Sequence, residues 1–255
     1  MSRDAAALSP EWPRRALFWS ALPLIAAQGL WLRRRALRFD PAPGEAQGVV
    51  GSGPMLRLLA LGDSIIAGVG TGSLERALPG CFAVALAAAS GRQLHWQALG
   101  RSGAHAGDLH RELLPALPGD TRYDLVLISI GVNDVTGLRR RHAFIADLTH
   151  TLRQLRARAP HCRIVVAAVP PLAAFPLLPQ PLRALLGLRS QLLDQALQRW
   201  LATQAEALHV PMPFPPAPAR FAADGFHPNE ASCAEWAAHL AQACLARWPE
   251  LRAAQ

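Results

Sequence analysis

The sequence contains no lysine, and all 26 basic residues among its 255 are arginines. This absence excludes several kinds of site, because a P-loop, a Schiff-base enzyme and a Ser–Lys dyad each require a lysine. Cysteine is also scarce. The four cysteines form no C-x-x-C pair, a pattern that disfavours a zinc site and favours buried free thiols over disulfides.

Aromatic and acidic residues are few as well. Aromatic side chains make up 6% of the chain, and 18 acidic residues leave a net charge of +8. Such a balance raises the question of nucleic-acid binding. Apart from two clusters, Arg33–Arg35 and Arg139–Arg141, the arginines are scattered, so we expect no nucleic-acid partner. Hydrophobic residues form 51% of the sequence, which indicates a folded domain with a sizeable core.

Residues 1–40 are predicted to form an N-terminal segment around one apolar run. Ala16–Leu32 has 17 residues without a charge, between Arg14–Arg15 and Arg33–Arg35. The run is short for a membrane span and long for a signal-peptide core. We favour a single membrane anchor, whose orientation the balanced flanking charges do not give. A cleaved signal peptide, giving a secreted or periplasmic protein, and an amphipathic or core helix stay open as alternatives.

Residues 41–54 are rich in proline and glycine and are predicted to be a linker, and residues 55–250 are predicted to be one domain. In this domain short apolar runs alternate with longer helix-compatible segments, which predicts a mostly parallel sheet covered on both faces. The predicted strands are Leu56–Leu61, Leu94–Ala98, Asp124–Ile130, Arg163–Val169 and Leu208–Met212. The predicted helices are Leu74–Ala89, Gly107–Leu117, Ala143–Ala159, Leu182–Ala207 and Glu230–Trp248.

Four polar motifs follow the predicted strands or precede the last helix. They are Gly62-Asp63-Ser64, Gly100–Ala104, Gly131–Asp134 and Asp224–Pro228. Ligand sites of parallel sheets lie beyond the carboxyl ends of the strands, so we expect the motifs to meet at one edge, with Ser64 opening the next helix. Each motif alone also fits an ordinary turn or helix cap.

Taken together, the motifs contain the parts of a nucleophilic site. A serine nucleophile needs a general base, and the base needs an orienting group. Asp224 and His227, three residues apart on one loop, fit those two roles beside Ser64. Asn133 offers a side-chain amide donor, and a glycine after the second strand can bring a backbone N–H close to a ligand.

In their order, G-D-S, then a glycine, then G-x-N-D and then D-x-x-H, the motifs resemble those of the SGNH hydrolases, also called GDSL lipases and esterases. The resemblance covers about Leu56–Trp248. It implies a flavodoxin-like three-layer α/β/α sandwich, with a mostly parallel sheet of the five predicted strands. By position it implies that Ser64 is the nucleophile, His227 the general base and Asp224 its partner. The implied oxyanion-hole donors are the Ser64 N–H, the Gly103 N–H and the Asn133 side-chain amide.

Two features of the resemblance need a decision: which glycine is the oxyanion donor, and whether Ile65 matters. Gly100 competes with Gly103 for the oxyanion role, and we prefer Gly103 because Ser-Gly-Ala fits the family's block better. Ile65 stands where the name-giving motif has leucine, and we expect no loss of mechanism because it is also apolar. Asp63 and Asp134 are expected to support their loops.

The resemblance implies hydrolysis of small-molecule or lipid carboxylic esters through an acyl-enzyme, without a metal or organic cofactor. One alternative is a carbohydrate or cell-envelope deacetylase on the same scaffold, and a more distant one is a catalytically silent, membrane-tethered binding module. The apolar segments Val169–Leu182 and Val210–Pro218 are interpreted either as an acyl pocket or lid or as rigid connections. Arg139–Arg141 is interpreted either as a cluster that attracts anionic head groups or as a solvated face.

Overall fold

The computed structural model describes residues 23–30, 40–118, 122–213 and 217–253. These residues form one sheet with helices on both faces, so the predicted α/β/α sandwich is confirmed. The strands are β1 (Gln47–Val50), β2 (Met55–Gly62), β3 (Gln93–Gly100), β4 (Leu125–Ser129), β5 (Arg163–Ala167) and β6 (Ala207–Val210). The α-helices of the domain are α1 (Leu78–Ser90), α2 (Ala106–Asp108), α3 (Val132–Thr136), α4 (Arg141–Arg158), α5 (Leu182–Leu201) and α6 (Glu230–Arg247).

The sheet has six strands in the order β1-β3-β2-β4-β5-β6, where the sequence predicted five. Strands β2 to β6 are parallel, and the additional strand β1 pairs antiparallel with β3 at the edge. Strand β1 lies inside the predicted linker, residues 41–54. It is only four residues long and contains Gly48, over which the indole of Trp96 lies, 2.7 Å from an ideal Cβ. The long-range contact with this indole stabilises a strand that its own composition disfavours.

Two hydrophobic layers lie on the two faces of the sheet. Leu58 and Val165 face α1 and α6, whereas Leu59 and Ile164 face α4 and α5, and all four side chains are fully buried. Because successive strand residues point to opposite faces, a sheet covered on both sides needs apolar residues at consecutive positions. This requirement explains the uninterrupted apolar runs in the sequence.

The helices differ from the prediction at several ends. The segment predicted as one helix over Gly107–Leu117 is the single turn α2, followed by a π-helical turn, Leu109–Leu113, and a 3₁₀ turn. Pro115 and Pro118 lie at its end and cannot continue a regular helix. Helix α5 ends at Leu201 rather than Ala207, because the chain turns at residues 202–206 to enter β6.

Part of the predicted N-terminal anchor is described. Residues 23–30 are helical, and Ile25 packs against the core layer that contains α4 and α5. The remainder of Ala16–Leu32, like the flanking arginines 14–15 and 33–35, lies outside the described residues. Among the helices that are described, none has the length and apolar character needed to cross a bilayer. All four cysteines are free thiols, and Cys81 alone is partly exposed.

Candidate active site

Ser64 lies directly after the central strand β2, at the carboxyl edge of the sheet. Gly62 ends this strand in close contact with β4, since a Cβ there would lie 2.1 Å from the carbonyl oxygen of Ser129. No side chain larger than hydrogen fits at this point. The glycine therefore allows the chain to leave the sheet edge in a tight turn with Ser64 at its start.

Ser64 does not open a helix, so that expectation was wrong. Residues 64–70 form consecutive turns, in which Gly68 and Gly70 adopt φ values of 72° and 91°. These left-handed conformations prevent a continuous helix. Asp63 fixes the start of the turns, because its Oδ1 accepts the Ile65 N–H at 3.1 Å.

Asp224 and His227 meet Ser64 from a loop that precedes α6. One carboxylate oxygen of Asp224 accepts the backbone N–H groups of Phe226 at 2.9 Å and His227 at 3.0 Å. The other oxygen lies 2.5 Å from Nδ1 of His227, and Nε2 of the same ring lies 2.9 Å from Oγ of Ser64. The three side chains thus form one hydrogen-bonded chain. With the proton on Nδ1 shared with Asp224, Nε2 accepts the hydroxyl proton of Ser64.

The electrostatics of the loop keep Asp224 ionised. Burial raises the pKa of this carboxyl, but hydrogen bonds from the His227 ring and from the backbone N–H groups of His227 and Phe226 lower it more. The net result is a pKa below the ordinary value. An ionised Asp224 holds the imidazole in one orientation and stabilises its protonated form.

The expected oxyanion donors lie on two loops beside Ser64. Gly103 follows β3 and Asn133 lies in α3 after β4, and both strands are direct neighbours of β2. The amide of Asn133 donates one hydrogen to the carbonyl oxygen of Ala104 at 2.9 Å. This bond joins the two loops and leaves the second amide hydrogen for a ligand. Within the described residues, the backbone N–H groups of Ser64 and Gly103 have no hydrogen-bond acceptor.

The two competing glycines have different surroundings. A Cβ on Gly100 would lie 2.3 Å from the backbone nitrogen of Ala67, so this glycine is required for close contact between β3 and the Ser64 turns. Gly103 has a φ of 79° and open space around its Cβ position. Gly103 therefore lies in a loop with open space beside it, which an N–H that donates to a bound oxyanion would need.

Behind these loops lies an ion-pair network that sequence reasoning missed. Asp134, which is fully buried, accepts the Ala106 N–H at 3.0 Å and lies 3.4 Å from the guanidinium of Arg139. Arg139 also donates to Asp147, which in addition binds Arg111 at 2.8 Å. The network ties the Asn133 loop to α4. No sequence signal pointed to it, because Asp134 and Arg139 are five residues apart and Asp147 and Arg111 come from separate elements.

Two buried carboxyls in the predicted motifs have raised pKa values. Burial raises the pKa of Asp63 to about 7, and the Ile65 N–H and the nearby His227 offset it only in part. Oδ2 of Asp63 has no hydrogen-bond partner among the described residues. Burial raises the pKa of Asp134 to about 6, against the opposing effect of the Ala106 N–H. Both residues support their loops through backbone N–H groups, as their positions led us to expect.

A small apolar cavity of about 30 Å³ opens beside Ser64 and His227. Its walls are largely aromatic and aliphatic: Ile65, Val132, Pro170, Phe175, Met212, Phe221, Phe226 and Trp236. Phe175 lies at the centre of the aromatic part, with edge-on contacts to Phe221 and Phe226 at ring distances of 5.0 and 5.1 Å. This volume accommodates roughly two or three methyl-sized groups. Both predicted apolar segments contribute to it, although part of the second lies outside the described residues.

In the part of the chain that the structure describes, no three His, Cys, Asp or Glu side chains come together as metal ligands would. The site consists of a serine hydroxyl, an imidazole, a carboxylate and amide donors around an apolar cavity. This combination fits chemistry in which a serine attacks an electrophilic carbonyl.

Fold and site together define the class of a GDSL-type ester hydrolase, and comparison with known proteins agrees. Residues 60–233 match the model of the GDSL-like Lipase/Acylhydrolase family. The chain therefore belongs to this family, and membership supports hydrolysis of esters. A curated relative, the GDSL-like esterase Rv1075c of Mycobacterium tuberculosis, is 28% identical over 231 residues, which cover 83% of this chain and 73% of that protein.

Solved structures share the fold at lower identity. A lipase, Lip_vut3, from a goat rumen metagenome superimposes with a TM-score of 0.61 at 15% identity, covering 74% of this chain and 97% of that one. A carbohydrate esterase of family 3 from Talaromyces cellulolyticus gives a TM-score of 0.57 at 19% identity, with coverages of 76% and 99%. At such identities the likeness concerns the fold, which lipases and carbohydrate esterases share.

Proposed function

We propose that this protein is a serine esterase that cleaves carboxylic esters through an acyl-enzyme. The observation that carries the proposal is the continuous hydrogen-bonded chain from Asp224 through His227 to Ser64. Ser64 attacks the ester carbonyl while Nε2 of His227 takes the hydroxyl proton, and His227 returns that proton to the leaving alcohol. Water then attacks the acyl-enzyme in the same way and releases the acid.

Three donors are proposed to stabilise the tetrahedral oxyanion: the backbone N–H groups of Ser64 and Gly103 and the side-chain amide of Asn133. Support comes from the two backbone N–H groups without acceptors in the described structure and from the amide hydrogen of Asn133 that Ala104 leaves available. Because the Asp134–Arg139 contact fixes this loop before substrate arrives, little reorganisation is needed at the moment of reaction.

For the acyl group we propose a short apolar chain. The cavity beside Ser64 is lined mainly by Phe175, Phe221, Phe226 and other apolar side chains, with Arg220 also on its wall, and its volume of about 30 Å³ matches a short acyl chain. We therefore expect the segment Val169–Leu182 to act as a wall of an acyl pocket. Esters with two- to four-carbon acyl groups are expected to react faster than palmitate.

Deacetylation of a carbohydrate or envelope polymer is the second candidate. An acetyl group fits the same small cavity, and the alcohol part of the substrate would remain outside it. Acetate release from acetylated sugars, compared with release from a simple alkyl acetate, separates the two candidates. A much higher kcat/KM on the sugar would assign the enzyme to the carbohydrate class.

The test is hydrolysis of p-nitrophenyl esters from acetate to palmitate by the full chain, beside Ser64→Ala. We expect activity on short esters and a loss on the order of 10⁶-fold in kcat for the variant. Ser90→Ala is the matched control, because Ser90 is a buried serine at the end of α1 whose hydroxyl has no hydrogen-bond partner among the described residues. Undiminished activity in Ser64→Ala would reject the proposed nucleophile.

A catalytically silent binding module is the outcome that opposes the whole proposal. A fluorophosphonate probe distinguishes it, because the probe reacts covalently with an activated serine. We expect labelling of the native chain and of Ser90→Ala, and none of Ser64→Ala. A folded native chain that neither labels nor hydrolyses any ester would favour the silent module.

A further inference from the structure

A wide groove runs between α4 and α5, on the side of the Asn133 loop away from Ser64. Its volume is about 810 Å³, and α3, α4, α5 and the loop between α3 and α4 all line it. Side chains on its walls include Leu138, Arg140, Arg141, His142, Ile145 and Leu192. The candidate active site uses none of these residues, so the groove needs a separate explanation.

Leucines protrude at this groove. Leu138 and Leu192 line it and are 60% and 37% exposed, and Leu188, which lies next to it on α5, is 55% exposed. Leu188 and Leu192 lie one helical turn apart and so share a face of α5. Leu138 has a φ of 55°, a left-handed conformation that costs a leucine roughly 1–2 kcal/mol and that glycine adopts freely. Neither the core nor the local backbone therefore explains a leucine at this exposed tip.

The charge around the groove has one sign. Arg140 and Arg141 are exposed and form no ion pair with a described residue. Arg189 donates to the Arg139 carbonyl oxygen, while its Nε is buried without a described partner. No aspartate or glutamate lines the groove. Arg163, by contrast, is paired with Glu206 and Glu250. Absence of an ion pair is not peculiar to the groove, since the exposed Arg153 and Arg247 also have none among the described residues; what distinguishes the groove is that Arg140, Arg141 and Arg189 line it together.

A second apolar element lies next to the groove. The helical residues 23–30, part of the uncharged run, are joined to the start of α5 by Gln28, whose side chain bonds the Gln180 carbonyl oxygen at 2.5 Å and the Leu182 N–H at 3.2 Å. Leu24 and Leu30 of this segment are 53% and 58% exposed. At 1.5 Å per residue, the exposed leucines of α5 begin about 9 Å further along the helix.

We propose that this groove, with its wall residues Leu138, Arg140, Arg141, Arg189 and Leu192 and the neighbouring Leu188, docks the protein on an anionic phospholipid surface. The leucines insert at the level of the first acyl carbons, and the arginines bind the lipid phosphates above them. Protruding leucines next to arginines without ion pairs match a bilayer surface, which has anionic phosphates on its outside and apolar acyl chains beneath them. The described helical residues 23–30, with Leu24 and Leu30 exposed, suit the same surface. A second copy of this cationic face would repel the first one, which disfavours self-association.

The experiment reports directly on the groove in the full chain. Ala146 is exposed and lines the groove, so an environment-sensitive dye is attached to Ala146→Cys in a Cys81→Ser background. The protein is mixed with vesicles of phosphatidylglycerol and phosphatidylcholine or of phosphatidylcholine alone. We expect a blue shift on the anionic vesicles that high salt reverses, and at most a small shift on neutral ones.

The matched label is placed on Val84→Cys in the same background, because Val84 is 54% exposed on the opposite helical layer. This label is expected to stay in water on all vesicles. If the dye at residue 146 also stays in water on anionic vesicles, the proposal is overturned, even when the N-terminal run binds the protein to them. A shift that depends on protein concentration without vesicles, or that acidic peptide alone produces, would assign the groove to a protein partner instead.

A charge-matched pair of variants completes the test. Leu138→Ser with Arg140→Gln is compared with Val84→Ser and Arg247→Gln, which remove the same kinds of group from the other layer. The groove variant is expected to lose about fivefold in partitioning to anionic vesicles through its one arginine, and more through the leucine. The control variant is expected to partition as the native chain does. Equal partitioning of the two variants would overturn the proposal. Neither readout depends on esterase activity.

Discussion

Two histidine–aspartate pairs in this molecule have similar geometry but different surroundings. His227 pairs with Asp224 through Nδ1 at 2.5 Å, and His209 pairs with Asp194 through Nε2 at 2.9 Å. Asp194 also accepts the Val169 N–H at 2.9 Å, much as Asp224 accepts backbone N–H groups of its own loop. Measured by these contacts alone, both pairs resemble the base and orienting group of a hydrolase.

The difference lies at the far nitrogen of each ring. Nε2 of His227 reaches Oγ of Ser64 beside a cavity, whereas His209, on β6, reaches no serine among the described residues. The pair of His209 joins α5 to β6 and so stabilises the fold. On the proposed mechanism, the His227 pair can act on a substrate because the end of β2 presents the Ser64 hydroxyl to it, and the His209 pair has no such group in the part of the chain that the structure describes.

The strongest test of the comparison is the same substitution in both pairs. Asp224→Asn is expected to lower kcat about 10⁴-fold, because an amide there favours the wrong tautomer of His227. Asp194→Asn is expected to leave kcat unchanged and to lower the melting temperature. Both are measured by ester hydrolysis and thermal unfolding. A comparable loss of kcat in both variants would erase the distinction between the pairs.

The second prediction concerns the side-chain amide of Asn133, a proposed oxyanion donor near the His227 pair that has no counterpart near the His209 pair. Asn133→Ala is expected to lower kcat on the order of 10²–10³-fold with little change in KM, because the amide acts on the oxyanion of the transition state. Thr136→Ala, one helical turn away in α3 and exposed, is the control. A change confined to KM would show that Asn133 binds the substrate rather than the oxyanion.

Asp63, the buried carboxyl near His227, is expected to make the free energy of unfolding depend on pH. No such carboxyl is described beside the His209 pair. Asp63 has a pKa of about 7 in the folded chain, above the ordinary value of 3.8. Between these values the folded state holds the proton more tightly, so stability falls as pH rises from about 4 to about 7. The full effect corresponds to at most about 4 kcal/mol. Chemical denaturation of Asp63→Asn across this range should lack that decline, and parallel curves for the two proteins would refute the raised pKa.

The smallest effects distinguish the two glycines beside Ser64. Gly100→Ala brings a Cβ against the Ala67 backbone and is expected to cost about 1–3 kcal/mol of unfolding free energy. Gly103→Ala meets no neighbour and is expected to cost about 1 kcal/mol through its left-handed φ alone. Both values are measured by denaturant unfolding. If Gly100→Ala unfolds normally yet loses activity, the oxyanion role passes to Gly100.

Sequence reasoning predicted the parallel strands, and it placed Ser64, His227 and Asp224 at one sheet edge, where the structure brings the three side chains together. A strand buried on both faces is an uninterrupted apolar run, and its carboxyl end determines where polar residues can meet. Strand β1 escaped prediction because pairing with β3 and cover by Trp96 stabilise it. Such long-range contacts leave no periodic signal in four residues.

The cavity and the network behind Asn133 were beyond prediction for the same reason. Phe175 and Phe221 come from separate loops, and nothing in their spacing indicates that their rings lie 5.0 Å apart. Asp147 occupies one position of an amphipathic helix, where a carboxylate usually faces solvent. Its burial under Arg111 and Arg139 depends on how the helix packs.

The strand order has a consequence for how the substrate preference of such an enzyme can change. The Ser64 hydroxyl and both proposed oxyanion segments follow β2, β3 and β4, whereas most of the cavity wall comes from segments after β5 and β6. On the proposed roles, the reacting groups and the wall of the acyl pocket therefore come from separate stretches of the chain, apart from the His227 loop. If residues 170–182 are replaced by the corresponding segment of another protein with this fold, the acyl preference is expected to change while Ser64, His227 and Asp224 stay in place.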